Sequence, residues 1–312
     1  MEREAAPFHA GLADGPDGGH ALWCTASDGV KIRIGVWPKG DRGTVLLFPG
    51  RTEYVEKYGR AAGDFAARGY AMIAVDWRGQ GLAGRTIADR NVGHVDRFAD
   101  FQKDVAAIMA AVGALDLPRP LYLVSHSMGG AIALRALHEG LAVKAAVFSA
   151  PMWGILMPPA MRSLAPAIGR VGRALGFGHR YAPTTGPDSY VATAAFDDNV
   201  LTTDPAMWAY MKAQVSEVPA LALGGPSLTW LHEAMIECRT LAAMAAPAYP
   251  VVTQLGTRER VVDPRPVHAR MADWPGGRLD MIEGAEHEIM METPSRRAAF
   301  FDAAAALFAA HP

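Results

Sequence analysis

A serine hydroxyl is a weak nucleophile until a base takes its proton and N–H donors hold the oxyanion it creates. Ser127 has the local setting for both. It sits in Leu121-Tyr122-Leu123-Val124-Ser125-His126-Ser127-Met128-Gly129-Gly130, an apolar run that breaks into small residues before a helical stretch, Ala131 to His138. Strand, sharp turn and helix in that order are the layout of a nucleophile elbow. The helix starts at the serine, so its free N–H groups and positive dipole end lie beside the hydroxyl. The backbone N–H of Met128 is the first expected oxyanion donor. Ser125 stands where such elbows carry glycine, and a side chain this small is expected to close the turn with slightly more crowding.

The base must come from elsewhere in the chain. His287 lies in Glu283-Gly284-Ala285-Glu286-His287-Glu288-Ile289, a turn beyond the last apolar strand and before the final helix. A loop histidine there reaches a serine at the end of a central strand and titrates near working pH. Two residues compete to orient it. Glu259 lies in the first turn after Val251-Val252-Thr253-Gln254-Leu255-Gly256, whereas Asp263 directly precedes Pro264 and a helical stretch. Asp263 thus has a local job as an N-cap with proline in the first turn, and Glu259 is the preferred acid. The second oxyanion donor is expected from Pro49-Gly50-Arg51-Thr52-Glu53-Tyr54, through the N–H of Arg51. The Arg51 side chain is expected to pair with Glu53 or Glu56, with an anionic substrate group as the alternative. Asp76-Trp77-Arg78-Gly79-Gln80-Gly81 is a glycine-bearing turn near the site, with a structural role expected.

These groups need a scaffold that gathers them. Val30 to Trp37 alternates apolar and polar residues and predicts a half-buried antiparallel strand. Thereafter short apolar runs alternate with helical patterns. Strands are expected at Thr44–Phe48, Tyr70–Val75, Leu121–Val124, Ala145–Ser149, Tyr249–Leu255 and Arg278–Ile282. Helices are expected at Tyr58–Arg68, Asp96–Val112, Arg265–Ala272 and Ser295–Ala309. Continuous apolar strands between helices predict an α/β fold, a mostly parallel sheet covered on both faces. Ligands bind such sheets at the carboxyl ends of the strands, where Ser127 falls. The alternation lapses between about Met152 and Pro247. The expected organisation is an N-terminal extension (1–22), a core of 23–151 and 248–312, and an inserted helical cap (152–247).

Composition narrows the classes. The 312 residues suit one α/β domain with an insertion, and 50% hydrophobic residues with a formal net charge of −2 argue against disorder and nucleic-acid binding. Cys24 and Cys238, far apart, do not make a disulfide framework, and a reducing, cytoplasmic compartment fits. The start Met1-Glu2-Arg3-Glu4-Ala5-Ala6-Pro7 lacks the apolar core of a signal peptide. Ala145 to Met161 carries no charge, but Pro151, Pro158 and Pro159 make it a core strand running into an apolar loop rather than a membrane span. The ten histidines are scattered without paired metal-ligand spacing, so neither metal nor cofactor is expected.

Together these stretches resemble the α/β-hydrolase superfamily, and within it the lysophospholipase L2 and monoacylglycerol lipase group of serine aminopeptidase S33-type hydrolases. The resemblance runs from about Trp23 onward. Phe48-Pro49-Gly50-Arg51-Thr52-Glu53-Tyr54, Asp76-Trp77-Arg78-Gly79-Gln80-Gly81, Ser125-His126-Ser127-Met128-Gly129-Gly130 and Gly284-Ala285-Glu286-His287-Glu288 carry it for the fold and triad. Ser149-Ala150-Pro151-Met152-Trp153-Gly154-Ile155, Glu259-Arg260-Val261-Val262-Asp263 and Leu223-Gly224-Gly225-Pro226-Ser227 with Trp230 carry it for the lysophospholipase branch. The chain order Ser, acid, His is that of α/β-hydrolases. The resemblance implies the acid three residues after a strand-end glycine, at Glu259, although aspartate is commoner there in monoacylglycerol lipases. Pro49-Gly50 replaces the usual His-Gly of the oxyanion loop.

The expected activity is therefore hydrolysis of a lipid carboxylic ester, a lysophospholipid or monoacylglycerol, through an acyl-enzyme. The alternatives are a short-chain ester or aminoacyl amide hydrolase, and a non-catalytic ligand-binding scaffold. Met152, Trp153 and Ile155, with Leu156 and Met157, are candidates to line an acyl pocket, or else pack cap against core. In the cap, Leu164, Ile168, Val171 and Leu175 repeat at helical spacing beside Arg162, Arg170, Arg173 and Arg180. A cap helix packed on the domain is the first reading, and peripheral contact with an anionic lipid face is the second.

Overall fold

The computed structural model describes residues 4–157, 170 and 172–312. The short apolar runs form one eight-stranded sheet: β1 (His20–Thr25), β2 (Lys31–Trp37), β3 (Thr44–Phe48), β4 (Ala71–Asp76), β5 (Leu121–His126), β6 (Ala146–Ser149), β7 (Val251–Gly256) and β8 (Arg278–Ile282). Their spatial order is β1-β2-β4-β3-β5-β6-β7-β8. β2 runs antiparallel to both of its neighbours, β1 and β4, and every other pairing is parallel. β5 lies inside the sheet, so its carboxyl end opens onto a crevice flanked by β3 and β6. β1 begins at His20, inside the stretch read as an extension. Residues upstream also join the body: Ala5 bridges Leu22, and Phe8 meets Trp37 edge to face.

β2 departs from the expected half-buried pattern, because everything after Lys31 is buried. Its polar position, Arg33, does not face water. The guanidinium forms ion pairs with Glu56 at 2.6 Å and Asp76 at 2.7 Å. Alternation marks the two faces of a strand, but a buried polar face reads the same as a solvated one.

Two apolar clusters cover the two faces. One gathers Leu46, Phe48, Trp77, Leu123, Ile132 and Phe148. The other gathers Val45, Leu47, Tyr58, Phe65, Tyr122 and Phe308. The flanking helices include Gly59–Ala66, Phe101–Ala114, Met128–His138, Pro264–Ala272 and Pro294–Ala309. The inserted stretch contributes helices Pro205–Glu217 and Leu228–Ala242, each started by a side-chain cap from Asp204 and Ser227. Met207 and Trp208 join one cluster and Trp230 and Leu241 the other, so the insertion is seated on the core by apolar contact. Leu164, Ile168, Val171 and Arg162 lie outside the described residues, as do Pro158, Pro159 and Met161. Arg173 pairs with Glu233 at 2.7 Å, and no helix among the described residues is long and apolar enough to cross a membrane.

Candidate active site

Ser127 sits at the turn between β5 and the Met128–His138 helix with φ 50° and ψ −120°. A positive φ is costly for a side-chain-bearing residue, and here it lifts the hydroxyl out of the sheet edge. The turn survives because its neighbours are small. A Cβ on Gly129 would fall 2.1 Å from the Phe48 carbonyl oxygen, so only glycine lets the helix start against the end of β3. Ser125 is fully buried, and its hydroxyl finds no hydrogen-bond partner among the described residues. A buried unpaired hydroxyl costs about 1 kcal/mol or more. Ser125→Ala is therefore expected to hold or raise the melting temperature without loss of turnover; a drop of several degrees would contradict this.

Three side chains expected to act together lie in one hydrogen-bonded line. His287 Nε2 is 3.0 Å from Ser127 Oγ, and His287 Nδ1 is 2.7 Å from Glu259 Oε2. The carboxylate can only accept, so Nδ1 carries the proton and Nε2 is left to accept from the serine hydroxyl. Glu259 is fixed by its other oxygen, which accepts from the N–H groups of Val261 at 2.6 Å and Val262 at 2.9 Å. Burial alone would push its carboxyl up, but His287 and these two N–H groups bring it below the usual carboxylate value. Burial likewise pulls His287 down, and the carboxylates of Glu259, Glu288 and Glu53 outweigh it, so the imidazole sits above an ordinary histidine. Asp263 is elsewhere employed. It caps the Pro264–Ala272 helix by accepting from Arg265 N–H and pairs with the Arg265 guanidinium at 2.6 Å.

The Pro49–Glu53 loop faces the serine and is held by side chains from neighbouring turns. Trp77 donates to the Pro49 carbonyl at 3.0 Å, Gln80 donates to the Gly50 carbonyl at 3.0 Å, and Gln80 also accepts from Thr52 N–H at 3.1 Å. Glu53 accepts from Gly50 N–H. The Asp76–Gly81 turn thus has the structural part expected of it. Among the described residues, the backbone N–H groups of Arg51 and Met128 donate to no protein acceptor.

Beneath this loop lies a charged cluster that sequence reasoning missed. The Lys57 ammonium bridges Glu53 at 2.7 Å and Glu288 at 2.6 Å, and Tyr58 donates to Glu53 at 2.6 Å. His126 closes it, with Nε2 3.6 Å from Glu53 and its ring tilted against His287 at 4.6 Å between centroids. Burial drives the His126 pKa down to about 3, so it stays neutral. Glu53, His126 and Glu288 are spaced closely enough for a metal, but the Lys57 ammonium already holds the cation position between the two carboxylates. The spacing of Glu53 and Lys57 as an i,i+4 pair was the one local signal of this cluster.

Arg51 corrects an expectation. Glu53 is taken by Lys57 and Tyr58, and Glu56 by Arg33, so neither pairs with it. Its guanidinium instead donates to the Gly224 carbonyl at 2.8 Å and lies over the Trp230 ring at 5.7 Å. Both groups belong to the inserted stretch, and together with Ser127 and His287 they line a cavity of about 550 Å³. Its walls include Val191, Leu201, Leu223, Leu231 and Val262. Of the pocket candidates, Met152 and Ile155 line this cavity, but Trp153 does not. Trp153 turns into the core against Phe148 and Trp274, and its indole donates to the Gly130 carbonyl at 3.2 Å. Leu156 is exposed, and Met157 lines a separate shallow pocket.

Comparison with known proteins agrees with this architecture. The chain is 32% identical over 286 residues to lysophospholipase L2 of Escherichia coli K12, covering 86% of this chain and 80% of that one. It is 31% identical over 258 residues to a probable lysophospholipase L2 of Haemophilus influenzae, covering 82% and 80%. Among solved structures, a soluble variant of the Saccharomyces cerevisiae monoglyceride lipase, in complex with a substrate analog, superposes with a TM-score of 0.71 at 22% identity. That match covers 92% of this chain and 94% of the lipase, and it shows a shared fold. The family model described as serine aminopeptidase, S33, matches residues 39–294. With its mostly parallel sheet, its elbow serine and this match over most of its length, the chain belongs to the serine aminopeptidase S33 family of α/β-hydrolases.

Proposed function

We propose that this protein is a serine hydrolase of lipid carboxylic esters that acts on lysophospholipids, with monoacylglycerols as the alternative substrate. Ser127 Oγ attacks the ester carbonyl as His287 Nε2 takes its proton, and the oxyanion is held by the N–H groups of Arg51 and Met128. Collapse expels the glyceryl alcohol, which leaves with the proton from His287. Water then attacks the acyl-Ser127 ester, giving its proton to His287, and the fatty acid departs as Ser127 regains its own. Glu259 holds the imidazole in the required tautomer and stabilises the imidazolium.

One observation carries the reading: the Ser127–His287–Glu259 line opens into a cavity with apolar walls large enough for an acyl chain. The relatives named lysophospholipase L2 favour the lysophospholipid over the glyceride. Charge weighs against an aminoacyl amide. An α-ammonium is best held by a buried carboxylate free of other partners, whereas Glu53 and Glu288 are both bound to Lys57, Asp188 is exposed to water, and Arg51 adds a positive charge. The test is fatty-acid release from lysophosphatidylcholine, lysophosphatidylethanolamine, 1-monoacylglycerol and p-nitrophenyl butyrate. Lysophospholipid turnover is expected, and turnover of butyrate alone would discard the lipid substrate while keeping the hydrolase.

A cytoplasmic protein that touches the inner membrane face through its cap fits the same reading. Leu175 and Phe177 are exposed, with the exposed Arg180 over the Phe177 ring at 4.9 Å, an apolar and basic pairing suited to anionic lipid. Co-flotation with anionic but not neutral vesicles is expected, and its absence would leave the enzyme free of the membrane.

A further inference from the structure

Arg51 brings a permanent positive charge to the cavity wall, where Glu53 and Glu288 are already held by Lys57 and Asp188 is exposed to water. Among the described residues it makes no ion pair. It is the sole Lys or Arg among the lining residues described. Burial lowers its pKa to about 10, so the half-buried guanidinium stays charged at neutral pH. One hydrogen bond to Gly224 and the face of Trp230 hold it, leaving most of its five N–H donors unused.

The placement is built rather than accidental. Ser227 caps the Leu228–Ala242 helix by accepting from Trp230 N–H at 3.0 Å, and His94 Nδ1 lies 2.8 Å from the same hydroxyl. That fixes the helix start that carries Trp230 beside the guanidinium. Gly93 leaves room on the other side, since a Cβ there would stand 3.2 Å from Arg51 Nη1. The backbone of Arg51 faces the reacting ester while its side chain reaches towards the inserted stretch. A planar fork of N–H donors matches a phosphodiester bidentately.

We infer that the Arg51 side chain receives the phosphodiester of the substrate headgroup, so that the enzyme selects lysophospholipids over neutral glycerides carrying the same acyl chain. The inference rests on the ester-hydrolase reading above and names what that site recognises.

The experiment compares kcat/KM for lysophosphatidylcholine and 1-monoacylglycerol of one acyl length, in identical mixed micelles, for the native enzyme, Arg51→Met and Arg51→Lys. The ratio of the two values is expected to fall at least tenfold in Arg51→Met and less in Arg51→Lys, which keeps charge without the fork. An unchanged ratio, or equal losses on both substrates, would overturn the inference, because the side chain would then serve only the loop. Calorimetry with sn-glycero-3-phosphocholine and with decanoate separates the two anions present in the reaction. Binding of the phosphodiester should weaken at least tenfold in Arg51→Met with decanoate little changed; the reverse would assign Arg51 to the released fatty acid. Failure of the lipid reading shows separately, as no serine-dependent turnover of either lipid by the native enzyme. Calorimetry still decides the role of Arg51 in that case, and Arg51→Lys serves if Arg51→Met does not fold.

Discussion

Ser127→Ala is expected to lower ester turnover by roughly 10⁴-fold or more and to abolish labelling by a fluorophosphonate. The substitution deletes one oxygen and leaves the rest of the site intact. His287 remains bonded to Glu259 at 2.7 Å, and Arg51 and Met128 still line the cavity with their backbone N–H groups unspent among the described residues. What remains is binding and oxyanion stabilisation without a nucleophile, which supports only slow attack by water. Alanine is also small enough for the φ of 50° that the turn imposes, so melting temperature and circular dichroism should be nearly unchanged. Retention of most turnover in a purified, folded Ser127→Ala protein would place the nucleophile elsewhere.

The second large effect separates two carboxylates only four positions apart. Glu259→Gln is expected to cost about 10³- to 10⁴-fold in kcat, because an amide facing His287 Nδ1 permits the tautomer with its proton on Nε2, pointing at the serine. Asp263→Asn should change kcat by less than about threefold. Asparagine caps a helix as well as aspartate does, and the Arg265 side chain that pairs with Asp263 is exposed. The pH profile supplies an independent sign. The base must be neutral to act, so activity falls as pH drops through the His287 pKa. Glu259 is the foremost of the carboxylates that lift that pKa above the ordinary 6.5. The native acid limb should therefore lie above pH 6.5, and the residual activity of Glu259→Gln should have its limb at lower pH. Loss of activity in Asp263→Asn with Glu259→Gln active would reverse the assignment of the acid.

What the sequence alone made legible followed from how local each signal is. The elbow, the strand-end glycine before Glu259 and the turn carrying His287 are contiguous stretches, and each announces its own backbone geometry. The parallel sheet was legible for the same reason, since its strands are unbroken apolar runs. The ion pairs of Arg33 with Glu56 and Asp76 were not, because a polar residue in a strand gives no sign of which carboxylate meets it. The Lys57 cluster draws on residues 53, 57, 126 and 288, which only the fold brings together. Trp153 failed as a pocket residue because one face of the segment after β6 looks at the cavity and the other at Phe148, and its composition is apolar on both. The helical spacing read in the inserted stretch ran only from Leu164 to Leu175, so the wall residues Val191, Leu201, Leu223 and Leu231 fell outside any pattern that would betray them.

The pinning of the Pro49–Glu53 loop has a consequence for how this enzyme can diversify. Trp77, Gln80 and Glu53 hold the loop through bonds formed during folding, with no ligand needed to shape it. A phosphonate adduct should form on an unchanged loop, with no induced fit to dilute its affinity. Substitutions at Trp77 or Gln80 would then slow every ester alike, although neither side chain meets the substrate. Val191, Leu201, Leu223 and Leu231 come from the inserted stretch and carry no part of that scaffold. A directed-evolution library for new acyl-chain lengths belongs at those four walls, where preference can drift while the chemistry is inherited whole.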